Sequence, residues 1–159
     1  MPHDPHLTRL TIRYLALRSR SQREIEAYLH RKRTPTQTQA DIDAVITYLK
    51  TIQLIDDKRF AQEYARSLLG QGKGPIIIKY MLQQKGISAE TTSSIILNLD
   101  PDLIHDSAIR LARKRLTYAH LNVDHPLDLV KLNHYLYSRG FPSSVSRPVI
   151  DEIRQQAVK

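Results

Sequence analysis

Ile25-Glu26-Ala27-Tyr28-Leu29-His30-Arg31-Lys32 is the stretch on which the fold turns, because its pattern returns twice. Ile25, Leu29 and Lys32 recur as Ile78, Leu82 and Lys85, and again as Leu132, Leu136 and Arg139. The offsets are 53 residues (25 to 78) and 54 residues (78 to 132). Tyr28, Met81 and Tyr135 coincide in the same alignment, as do Arg33, Gly86 and Gly140. A step of four puts both aliphatic side chains on one helix face, and a cation follows where the helix dipole favours it. A further helical segment precedes each copy, and another follows it. The chain therefore reads as three helix–helix–helix units, over 7–54, 56–99 and 101–157. Units of about 50 residues bury little surface alone, so neighbours are expected to pack end to end.

Around this repeat, helical spacing dominates and no stretch keeps a period of two. Leu7, Leu10, Tyr14 and Leu17 form one apolar stripe; Ile42, Val45, Ile46 and Leu49 form another. Ile76-Ile77-Ile78 favours strand by composition, but Pro75 before it is a helix start signal, so the run is read as helix. Ser21-Gln22-Arg23-Glu24 spells a capping box, and Asp100-Pro101 an N-cap followed by proline. Asp56 or Asp57 can cap the helix carrying Phe60, Tyr64 and Leu68. Gly86 and Gly140 suit left-handed C-caps.

The 159 residues carry 24 Lys and Arg against 16 Asp and Glu, a net charge of +8, and the isoelectric point is about 9.8. Such a balance implies a polyanionic partner or a protein–nucleic-acid assembly. The excess sits at the two ends: +4 over residues 1–54, +1 over 55–101 and +3 over 102–159. An apolar fraction of 41% points to modest cores instead of one deep core. With no cysteine, disulfides and thiolate metal sites are excluded. No apolar run approaches the roughly 20 residues of a membrane span. Met1 to Arg13 lacks the apolar block of a signal peptide, so a cytoplasmic protein without a membrane partner is expected.

The basic clusters are the candidate protein- or DNA-binding residues. Arg18, Arg20 and Arg23 flank the first inter-helix turn, and Arg31, Lys32 and Arg33 close the first unit's middle helix. Lys73 lies in a glycine-rich turn, and Arg139 closes the third unit's middle helix. Arg110, Arg113 and Lys114 share a face at i, i+3 and i+4, with Arg115 beside them. Helix-dipole stabilisation explains Lys32, Lys85 and Arg139 well. It explains Arg110 to Arg115 less well, since these crowd a helix with few acids. Gly70-Gln71-Gly72-Lys73-Gly74 lacks the Ser or Thr and the preceding strand of a phosphate loop, so it is read as a turn. His120 and His125, with Asp124 between, lack metal-ligand spacing, and His3 and His6 fall on a terminus expected to fray. No catalytic, cofactor or metal site is expected. Tyr14, Tyr28, Tyr64 and Tyr135 fall on apolar stripes and are read as core, with Phe60 and Phe141 as anchors.

Several motifs together resemble the RecX family. They are Leu54-Ile55-Asp56-Asp57-Lys58-Arg59-Phe60-Ala61, Gly72-Lys73-Gly74-Pro75 followed by Lys85-Gly86-Ile87, Leu111 to Arg115, and Tyr135 to Phe141. The similarity runs from Leu17 to Ile150. The resemblance implies an all-α, elongated, curved array of three tandem three-helix repeats. It implies a non-enzymatic monomer without cofactor that binds the RecA filament on single-stranded DNA, lies in its groove, and inhibits ATP hydrolysis and strand exchange. Its setting would be recombination, repair and the SOS response. The basic surface suits direct contact with single- or double-stranded DNA as well. From the residues alone, basic three-helix units also suit a helix-turn-helix transcription regulator, and dependence on recombinase separates the two. Ile76 and Ile77 stand where the family usually carries basic residues. Pro148 predicts a late start or a kink in the last helix, and 117–127 reads as a lengthened loop.

Overall fold

The computed structural model describes residues 3–157, and among these it holds nine helices and no strand. They are α1 (Pro5–Leu17), α2 (Gln22–Lys32), α3 (Gln39–Thr51), α4 (Asp57–Gly70), α5 (Pro75–Gln84), α6 (Ala89–Leu97), α7 (Pro101–Ala119), α8 (Pro126–Ser138) and α9 (Ser143–Ala157). The repeated motif falls on α2, α5 and α8, the middle helix of each triplet. Ile25, Leu29, Ile78, Leu82, Leu132 and Leu136 are all fully buried.

Local chemistry sets the helix ends. Ser21 and Glu24 form both halves of a capping box on α2, and Thr38 and Asp41 do the same on α3. Asp56 caps α4 through the Arg59 amide, leaving Asp57 free for another use. Gly86 and Gly140 take the left-handed conformation, at φ 81° and 89°, that glycine adopts without a Cβ clash.

Four expectations need correction. Leu17 is 78% exposed; α1 instead buries Thr8 and Thr11 beside Leu7, and the Thr11 hydroxyl donates to the Leu7 carbonyl. The helix α9 begins at Ser143 and runs through Pro148, which removes the late start and leaves the kink as the reading of that proline. Residues 117–119 belong to α7, which ends on His120 in the left-handed conformation, so the loop before α8 is shorter than read. The first described residues make contacts where fraying is expected, with Asp4 capping α1 and His3 stacked on Tyr48 at 3.7 Å.

The apolar side chains gather into two cores. One joins α1–α3 with Ile55. The other runs continuously through α4–α9, from Phe60 to Ile153. Between the second and third triplets the backbones touch: the Gly74 amide donates to the Arg139 carbonyl at 2.7 Å, and the Ile76 amide to the Gly140 carbonyl at 3.1 Å. A Cβ on Gly74 would lie 2.3 Å from the Gly140 backbone, so only glycine fits. The glycine-rich turn thus serves close approach of two repeats. The solvent-accessible area is 10070 Å², above the roughly 8,200 Å² of a compact monomer of this size. The excess is that of an extended array.

Candidate interaction surface

The structure sorts the basic candidates into two groups. The first makes contacts within the chain, chiefly at the junction of the first and second triplets, where Arg18 and Arg23 nonetheless stay exposed. The Glu24 carboxylate accepts from Arg18 and Lys85, each at 2.8 Å, and from the Ser21 amide at 3.2 Å, with Arg20 at 3.9 Å. Burial pushes the Glu24 carboxyl up, but hydrogen bonds from Lys85, Arg18 and Ser21 outweigh it and hold the group below the usual carboxylate range. Arg20 stacks over Tyr14 at 4.1 Å. Arg23 lays its methylenes across Gly86, where a Cβ would come within 2.7 Å, and donates to the Gln84 carbonyl at 3.4 Å. Asp57 accepts from the Gln22 amide at 2.7 Å across the same junction, and burial pushes its carboxyl up. At the next junction Arg139 reaches the Gln71 carbonyl at 3.4 Å, and Lys73 sits half-buried in the turn beside it.

The second group faces solvent. Arg31, Lys32 and Arg33 are exposed at the end of α2. On α7, Ala108 and Ala112 are fully buried and Leu111 is half-buried, which turns Arg110, Arg113 and Lys114 outward. Arg110 donates to the Gly70 carbonyl at 3.2 Å and Arg113 to Gln156 at 2.7 Å. Lys114 lies 5.7 Å from the Tyr118 ring. Arg115 departs from this face. At about 100° per residue it points away from Arg110 and covers the Tyr135 ring on α8 at 5.0 Å.

One feature escaped the sequence reading. Arg115, Val130, Lys131, His134, Tyr135 and Ser138 line an open groove of about 440 Å³ between α7 and α8. Its signal was present in the steps of 3, 4 and 3 from Leu127 through Val130 and His134 to Tyr137. Among the described residues, no three His, Cys, Asp or Glu side chains converge as a metal site would need, and no helix is long and apolar enough to cross a membrane.

Tandem three-helix repeats with exposed basic helix faces define an all-helical repeat protein. A family model described as "RecX, second three-helix domain" matches residues 56–93. The regulatory protein RecX of Mycolicibacterium smegmatis is 31% identical over 144 residues, covering 87% of this chain and 74% of that one. That of Chlorobium phaeobacteroides is 32% identical over 145 residues, covering 91% of each. The Limosilactobacillus reuteri relative is 29% identical, and the match spans 53% of its length. The crystal structure of RecX from Lactobacillus salivarius matches with a TM-score of 0.82 over 94% of this chain and 96% of that one, at 24% identity, a likeness of fold. The chain belongs to the RecX family of regulatory proteins.

Proposed function

We propose that this chain binds the RecA filament on single-stranded DNA and slows its ATP hydrolysis and strand exchange, in the cytoplasm and without catalysis of its own. Family membership over nearly the whole chain carries the reading. Residues 7–54, 56–99 and 101–157 act as its three units. An extended array offers repeated small contacts, and contacts on one body reinforce each other through effective concentration. Arg31, Lys32 and Arg33 at one end, and Arg110, Arg113 and Lys114 toward the other, meet acidic protein surface or phosphate. Arg18, Arg20, Arg23 and Arg139 contribute indirectly, by holding the triplets in register. A binder that prefers one filament conformation shifts the population toward it. The test is RecA ATPase on single-stranded DNA titrated with the purified protein at constant DNA. Hydrolysis should fall with added protein; a flat titration would overturn the reading.

A further inference from the structure

We infer that the groove between α7 and α8 seats a carboxylate-bearing amphipathic helix of the filament protein. The inference rests on the proposed function and adds the site and the chemistry of the contact.

The helix α8 has two apolar faces. The inner one, with Leu132 and Leu136 fully buried, belongs to the core. The outer one carries Leu127, Val130 and Tyr137, exposed by 64%, 59% and 60%, with His134 between them. Their spacing of 3, 4 and 3 is the stripe by which one helix meets another. Among the described residues, no element covers that stripe.

Charge identifies what fits. Arg115 makes no salt bridge among the described residues, and its guanidinium is held in place over Tyr135. The nearest carboxylate on α8, Asp128, is already occupied by the Asn122 amide at 3.0 Å and by Lys131 at 2.9 Å. Hydrogen bonds from Asn122 and then Lys131 hold that carboxyl below its usual range. The groove therefore presents an uncompensated cation, the Ser138 hydroxyl and the His134 imidazole beside an aliphatic stripe. Interfaces between proteins have an apolar core and are enriched in Arg and Tyr, as this groove is. A single strand of nucleic acid asks for a run of cations along its phosphates and open rings for its bases. Here one cation is unpaired, the Tyr135 face is covered by Arg115, and Leu127 and Val130 are aliphatic. A helix laid between two helices places its own aliphatic residues on Val130 and Leu127, and its Asp or Glu on Arg115.

The experiment measures binding of the labelled full chain to RecA filaments assembled on oligo-dT with a slowly hydrolysed ATP analogue. Val130→Asp and Arg115→Glu should each weaken binding by about tenfold or more, the effect of removing an interface anchor. Leu97→Ser, at a residue 83% exposed on α6, should bind like the parent. Circular dichroism melting checks each fold; if Val130→Asp fails to fold, Tyr137→Ser on the same stripe takes its place. Parent-like binding by the groove variants, while the parent binds, overturns the groove and leaves the proposed function standing. A parent that does not bind the filament overturns both. Naked oligo-dT is the third arm: if the parent binds it and the variants lose that affinity equally, the groove seats nucleic acid and the inference falls.

Discussion

The Lys85 ammonium donates to Glu24 Oε1 at 2.8 Å, joining the last turn of α5 to the first turn of α2. Its side chain is 28% exposed and its partner's 16%, so the pair is partly shielded from water. It lies where the two apolar cores fail to merge. Charge and hydrogen bonds hold the first triplet to the second, whereas packed backbone and a shared core hold the second to the third.

Removing the Glu24 charge should therefore loosen one junction only. Glu24→Gln is expected to cost about 1–2 kcal/mol, between the values for exposed and buried pairs. The loss should concentrate in α1–α3. Hydrogen exchange read helix by helix checks this, with α1–α3 amides losing protection before those of α7–α9. Uniform loss across all nine helices would contradict it.

Acid should act on the same junction with a definite sign. The folded Glu24 carboxyl titrates below its ordinary value of 4.5, so its contribution is present above that pH and is lost as pH falls through the folded value. Asp57 has the opposite sign. Burial raises its carboxyl above 3.8, so the stability it contributes is lost as pH rises through the folded value. At neutral pH the ionised Asp57, near Asp56 and Glu26, opposes folding. Asp57→Asn keeps an oxygen for the Gln22 amide, and its melting temperature at pH 7 should equal or exceed the parent's. The Glu24→Gln variant should show a shallower fall in stability than the parent as pH drops below 4.5.

Two glycines in one turn should respond in opposite ways to alanine. Gly74→Ala forces a Cβ into the Gly140 backbone and should destabilise by about 1–3 kcal/mol, as overpacking does. Gly70 ends α4 with nothing within 4 Å of a would-be Cβ, so Gly70→Ala should gain up to about 0.5 kcal/mol from helix propensity. Urea unfolding of both variants gives the comparison.

Replacing Arg110, Arg113 and Lys114 together by Ala should leave the fold nearly intact. Their hydrogen bonds to Gly70 and Gln156 are exposed, and exposed contacts contribute little. The proposed inhibition of RecA should weaken, and its dependence on salt should flatten because fewer ion contacts form. Unchanged inhibition at two salt concentrations would remove this face from the contact.

The repeat was legible because each copy needs two aliphatic side chains one turn apart, and those positions are the six fully buried residues of α2, α5 and α8. Capping residues were legible because they act within three or four residues. The junctions were not. Lys85 and Glu24 are 61 residues apart, and only the packed triplets bring them together. In the sequence Ile77 stands out only by a missing charge; in the fold its side chain lies against Gly140, part of a backbone contact no local pattern announces. Adjacency in sequence groups Arg115 with Arg110, although helical rotation alone turns it to the other side. The stripe from Leu127 to Tyr137 was readable as apolar, but whether another helix covers it is a tertiary fact.

Two kinds of joint give this array unequal stiffness. The Gly74–Gly140 joint leaves little room for movement, because its backbones are already in contact and bonded. The Glu24 joint is a cluster of long side chains whose attraction falls with distance and with ionic screening. Loaded along its length, the molecule yields first between α2 and α5, and salt sets how readily. In build it is a two-triplet block with one continuous core, to which the first triplet is joined by side chains alone.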